Sequence, residues 1–228
     1  MIEVIAHRGA SEDAPENTFA SFALAIEQGA DMIETDLHLL RSGEIVLHHD
    51  AEVEGNSLAD LTLTELRELR PDVPTLPEAF AAFAHRIPFN LEIKDSARGE
   101  YPRLERRAID VVRDHEVLER TVFSSFRDSV LHRLREVEPL ARIGVLTSRR
   151  SRKTPEKRAA AVAAEAVHLH VAQATAKRIE ALHGEGLRVR VYTVDDAERQ
   201  TELIDAGVDG IFTNVPGKLR ELLLGRAQ

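Results

Sequence analysis

Ile2-Glu3-Val4-Ile5-Ala6, then a run carrying Phe19, Phe22, Ala23 and Ile26, then Met32-Ile33-Glu34-Thr35-Asp36-Leu37-His38-Leu39 make up the stretch that decides the fold. Its outer pieces are short and rich in apolar and β-branched residues, as strands are. Its middle piece repeats apolar residues at i, i+3, i+4 and i+7, the period of a helix with one buried face. Asn17 is expected to cap that helix and Gly29 to end it. Arg41-Ser42-Gly43 then reads as a tight turn, with residues 44–48 returning as a strand. Further strands are expected over 89–93, 121–124, 142–146, 167–171, 188–193 and 210–213. Helices are expected over 103–115, 128–137, 156–165, 175–185, 196–206 and 217–224. Thr62 and Thr75 each open a Thr-x-x-Glu capping box, with Glu65 and Glu78, and the second leads a helix bearing Phe80 and Phe83. Thr154-Pro155 and Asp195 read as helix starts. Without the returning strand, eight strands remain, most of them followed by a helix. The expected architecture is an α/β fold, a (β/α)8 TIM barrel with a short hairpin excursion after the second strand. A doubly wound sheet would call for a glycine-rich first turn, which His7-Arg8-Gly9-Ala10 is not.

The chain has 228 residues, and no linker or composition break divides it, so a single domain over 1–228 is expected. A fold of this size buries roughly 70–75% of its unfolded surface and needs no staple. There are no cysteines, which excludes a disulfide framework, a thiolate metal site and a cysteine nucleophile. Net charge is −9, which counts against nucleic-acid binding. No run is apolar and long enough to cross a membrane. The chain starts in a core strand with no basic or apolar leader, so a cytoplasmic location is expected. Arg149-Arg150-Ser151-Arg152-Lys153 reads as a solvated basic loop.

In a barrel, chemistry collects where strands end. The first strand ends in His7-Arg8. The second carries Glu34 and Asp36, and the third carries Glu92 and Lys94. Each pair on the second and third strands is spaced i, i+2, so both members face one side. Inward carboxylates on neighbouring strands repel unless a positive charge lies between them, and a hard divalent cation meets that need. Antiparallel return from the 41–43 turn places His49 level with residues 34–36. Two histidines, His7 and His49, then flank the carboxylates as a candidate acid/base pair. Arg8 and Lys94 add positive charge that suits phosphate. Carbonyl chemistry by a metal-dependent isomerase or aldolase, with Lys94 as a Schiff-base former, stays open. So does a non-catalytic binding protein with a vestigial site.

Ala6-His7-Arg8-Gly9-Ala10, Ala14-Pro15-Glu16-Asn17-Thr18, residues 29–36 and Val46-Leu47-His48-His49-Asp50 resemble the glycerophosphodiester phosphodiesterase family. Leu91-Glu92-Ile93-Lys94, Ser124-Ser125-Phe126 and residues 207–213 fit it as well. The resemblance implies a (β/α)8 barrel that hydrolyses a small-molecule glycerophosphodiester to an alcohol and sn-glycerol 3-phosphate. It implies Glu34, Asp36 and Glu92 as ligands of Mg²⁺ or Ca²⁺. It implies His7 and His49 as general acid and base, and Arg8 and Lys94 as phosphate contacts. The attacking group is either water or the glycerol 2-hydroxyl. Glu16, Phe126 and Tyr192 are candidate pocket residues, and His38 a candidate support. His168 and His170, also spaced i, i+2, are weighed as reaching the barrel mouth. The chain departs from the family pattern in the 51–57 loop, in a short region between His49 and Glu92, at Tyr192 and at Asn214.

Overall fold

The computed structural model describes residues 2–148 and 153–226. Eight parallel strands form the barrel: β1 (Glu3–His7), β2 (Met32–Leu39), β3 (Phe89–Ile93), β4 (Thr121–Ser125), β5 (Arg142–Leu146), β6 (Ala166–His170), β7 (Arg188–Tyr192) and β8 (Gly210–Thr213). Each pairs with the next in chain order, and Val4 of β1 pairs with Ile211 of β8 to close the ring. The expected return strand is Ile45–Leu47, antiparallel to β2 with Leu37 opposite Leu47.

Alternation along the strands sorts the core. Val4, Ile33, Leu91, Phe123, Val167, Val189 and Ile211 point outward into one large cluster with the surrounding helices. Ile5, Met32, Val122 and Phe212 form a small plug inside the barrel. At the N-terminal end of the barrel the filling turns polar. Arg190 is fully buried, with Nε 2.7 Å from Glu3 Oε2 and Nη1 3.4 Å from His168 Nε2. His168 therefore belongs to the floor of the barrel and not to its mouth.

The outer helices are α1 (Phe19–Glu27), α2 (Leu63–Leu69), α3 (Leu76–Phe83), α4 (Leu104–Asp114), α5 (Asp128–Val137), α6 (Pro155–Ala161), α7 (Ala176–Gly184), α8 (Ala197–Asp205) and α9 (Pro216–Arg226). Both capping boxes form, Thr62 with Glu65 and Thr75 with Glu78. Thr18, not Asn17, caps α1, and Asp196, not Asp195, caps α8; Asn17 and Asp195 are used elsewhere. Between β2 and β3, residues 52–57 form a hairpin and α2 packs a separate cluster of Val53, Leu58, Leu66 and Val73. Of the 149–153 basic cluster only Lys153 falls among the described residues, and its ammonium lies 2.9 Å from Asp128. No helix among the described residues is long and apolar enough to cross a membrane.

One backbone position fixes the loop that follows β1. Gly9 has φ +83°, and a Cβ there would lie 2.4 Å from Ser21 Oγ and 2.7 Å from the Ser21 carbonyl carbon. Backbone cannot retreat as a flexible side chain can. Gly9→Ala should therefore lose on the order of 2–4 kcal/mol of stability through strain and overpacking together, or roughly 5–15 °C in Tm. Thermal melts of parent and variant check this; equal Tm values would mean that the loop absorbs the methyl group.

Candidate active site

Three adjacent strands build the centre. Register sets His7 beside Glu34, and Asp36 beside Glu92. One oxygen from each of Glu34, Asp36 and Glu92 lies within 4.8 Å of the others, a spacing that a divalent ion bridges. Lys94 Nζ is 3.4 Å from Asp36 Oδ1 and 3.2 Å from Glu92 Oε1. Arg8 Nε is 3.1 Å from Asp36 Oδ2. The two cations expected to meet phosphate thus face the carboxylates.

The carboxylates are not equivalent. Burial resists ionisation of Asp36, but Lys94, Arg8 and the Asn17 amide outweigh it and hold the carboxyl below its usual range. Burial, with Asp36 and Glu92 nearby, pushes Glu34 well above its ordinary value. Burial likewise raises Glu92 to about 7 despite Lys94. Lys94 stays protonated far above neutrality: burial opposes its charge, but Glu92, Asp36 and Glu34 overcome that.

The remaining sequence candidates fall around a cavity of about 220 Å³. His7 and His49 line it, as do Phe126 and Tyr192, whose rings meet edge to face at 6.1 Å. Glu16 stands outside the lining, 2.8 Å from Arg8 Nη1. His170 is engaged locally, with its Nδ1 accepting from Ala172 N.

Several residues support the site from behind. Asn17, in the left-handed region at φ 56°, donates from Nδ2 to Asp36 and accepts from the Thr35 hydroxyl at 2.6 Å. Asp195 accepts from Asn214 Nδ2 at 2.7 Å, which turns Asn214 Oδ1 toward Nδ1 of His7, also at 2.7 Å. An amide oxygen only accepts, so Nδ1 carries the proton and Nε2 is left as the basic nitrogen. Burial and Arg8 lower the pKa of His7, which keeps it neutral. The partner of His49 is a carboxylate instead, Asp50, at 2.8 Å. Behind His49 lies His38, whose Nε2 is 3.3 Å from the His49 carbonyl and whose Nδ1 is 2.8 Å from the Tyr101 hydroxyl. Burial lowers His38 to about 4, so it serves as a neutral donor. The sequence singles out His38 as a candidate support and Asn214 as a departure from the family pattern, and Asn17 lies in the Pro-Glu-Asn-Thr run; Asp195, Asp50 and Tyr101 give no such signal of this role.

A model of the "Glycerophosphoryl diester phosphodiesterase family" matches residues 7–218. A Caldanaerobacter subterraneus protein named glycerophosphodiester phosphodiesterase is 32% identical, over 96% of this chain and 97% of its own. A solved structure of a putative glycerophosphodiester phosphodiesterase from Galdieria sulphuraria superposes with a TM-score of 0.89 at 28% identity, covering 98% of each chain. An Oleispira antarctica phosphodiesterase, solved in complex with the product sn-glycerol-3-phosphate, gives 0.86 at 26% identity, over 97% of this chain and 96% of that one. With the closed barrel, the carboxylate cluster and both histidines in place, the chain belongs to the glycerophosphoryl diester phosphodiesterase family.

Proposed function

We propose that the chain hydrolyses glycerophosphodiesters to an alcohol and sn-glycerol 3-phosphate, with a divalent metal held by Glu34, Asp36 and Glu92 and with His7 and His49 moving the protons. The observation that carries this reading is the convergence of three carboxylates within 4.8 Å at a cavity walled by both histidines. The donor set fits the ion: all three ligands are hard oxygens, and two cations face three carboxylates, which leaves one negative charge uncompensated. A divalent ion turns that into one positive charge, the complement of a phosphodiester. Bound there, Mg²⁺ or Ca²⁺ would polarise the phosphoryl oxygens and offset the charge developing on them. With the metal held by these carboxylates, Arg8, as a planar fork, and Lys94, as a point charge, would meet the phosphate. His7, neutral with Nε2 free, takes a proton from the attacking hydroxyl. His49, backed by the Asp50 carboxylate, gives one to the leaving alkoxide. Phe126 and Tyr192 offer an apolar wall to the organic groups.

The lysine argues against carbonyl chemistry. A Schiff-base lysine needs a neutral amine near pH 7. Lys94 is held protonated by three carboxylates. The test is an enzyme-coupled assay for glycerol 3-phosphate over a panel of headgroup diesters, run with EDTA and with metal added back. Turnover should vanish in EDTA and return with Mg²⁺ or Ca²⁺. Trapping of Lys94 by borohydride, or turnover indifferent to chelation, would reject the reading.

A further inference from the structure

We propose that the side-chain carbonyl of Asn90 is a fourth, neutral oxygen ligand of the divalent metal; the inference rests on the metal site proposed above and extends it. Asn90 precedes Glu92 by two residues on β3, so both side chains face the barrel interior. It pairs in register with Glu34 and lines the same cavity as Glu34 and Glu92. The residue is 1% exposed. Its Nδ2 donates to Ser124 Oγ at 2.9 Å, which fixes the rotation of the amide. Its Oδ1 is buried and has no hydrogen-bond partner. Buried acceptors are almost always paired, so an orphan needs a reason.

The surroundings supply one. Arg8 and Lys94 are engaged by Asp36 and Glu92, and no donor reaches the amide oxygen. A buried, unpaired carbonyl lining the same cavity as Glu34 and Glu92 gains a partner once a cation enters beside them. Hard divalent cations take six or more oxygens and accept amide carbonyls readily beside carboxylates. A neutral ligand also keeps the metal-loaded cluster at one positive charge, where an aspartate would cancel the attraction for a phosphodiester. The spacing rule that found Glu34 with Asp36, and Glu92 with Lys94, finds Asn90 one step deeper on the same face.

Calorimetric titration of Ca²⁺ alone and Mg²⁺ alone into EDTA-stripped protein tests this. Parent, Asn90→Leu, Asn90→Asp and Ser124→Ala are compared, with metal-free Tm as the control for folding. Asn90→Leu should raise the metal Kd by about tenfold or more while melting no lower than the metal-free parent, since the orphaned acceptor is gone. Asn90→Asp keeps the oxygen and should bind as tightly as the parent or tighter. Ser124→Ala, which only frees the amide to rotate, should lose less than Asn90→Leu. A parent-like Kd for Asn90→Leu overturns the assignment. So does Asn90→Asp binding more weakly than the parent, which would give the role to the amide N–H instead and which decides the matter if Asn90→Leu fails to fold. A parent that binds neither ion overturns the metal site itself, a failure distinct from both.

Discussion

Glu92→Gln is expected to remove nearly all turnover and yet, without metal at neutral pH, to leave a more stable fold than the parent. Losing one anionic ligand forfeits several kcal/mol of transition-state stabilisation, which at tenfold per ~1.4 kcal/mol is on the order of 10³-fold in rate. The stability gain follows from linkage. Glu92 titrates at about 7 in the fold against an ordinary 4.5, with burial as the main cause. The folded state therefore holds a proton that the unfolded chain has already lost. That contribution is complete below the ordinary value and disappears as pH rises through about 7, where the buried carboxylate must ionise beside Asp36. At ~1.4 kcal/mol for each tenfold change in acidity, the parent loses at most a few kcal/mol across the window. Glu34, raised for the same reason, acts with the same sign. The depressed Asp36 acts only at more acid pH, where stability falls as it protonates. Glutamine mimics the protonated form and flattens the curve. Urea melts in EDTA should show the gap between variant and parent opening from about pH 5 to about pH 8. Saturating metal should reverse it, because the ion stabilises whichever fold holds it better. Parent stability that rises over that range in EDTA, or full EDTA-sensitive turnover by the variant, would remove Glu92 from the site.

What the sequence revealed, and what it hid, follows from range. Period-two spacing is a local property, so the inward pairs on β2 and β3 were legible, and so was the tight turn that returns His49. The same pattern at His168 and His170 could not be placed, because spacing tells which face a residue takes but not its height along the barrel. Register with Arg190 and Gly210 puts His168 on the floor. Asn17 was misread because asparagine is favoured both at helix caps and in left-handed turns. Thr18, one residue on, makes the cap, and Asn17 is free to hold Asp36. The bond from His7 to Asn214 spans 207 positions and that from His38 to Tyr101 spans 63. No local pattern encodes such pairs; closure of the barrel creates them. The base role proposed for His7 rests on one of these long-range partners, Asn214, whereas the carboxylate beside His49, Asp50, is its chain neighbour.

His7→Ala and His49→Ala should each lose on the order of 10²–10⁴-fold in kcat, the usual contribution of a positioned proton carrier. The double variant should fall little further than the worse single, because both groups serve one displacement. The two losses should part company when the leaving group changes. The partner of His7 is a neutral amide oxygen, fixed in turn by Asp195, which selects the tautomer with a basic Nε2. The partner of His49 is the Asp50 carboxylate, a charged acceptor at 2.8 Å in place of the neutral amide beside His7. An aliphatic alkoxide leaves only if it is protonated; a p-nitrophenolate leaves without help. With the p-nitrophenyl ester of glycerol 3-phosphate as substrate, His49→Ala should recover most of its activity while His7→Ala stays impaired. Rescue of His7→Ala instead would exchange the two roles, and equal impairment of both on the activated ester would show that neither acts as the acid. Asn214→Leu carries the argument one bond further. It leaves both histidines in place but frees His7 to adopt the wrong tautomer, so kcat should fall with KM little changed, and the activated ester should not rescue it. Rescue by the activated ester would break the link between the amide and the base, and would leave Asn214 to the packing of the loop that follows β8.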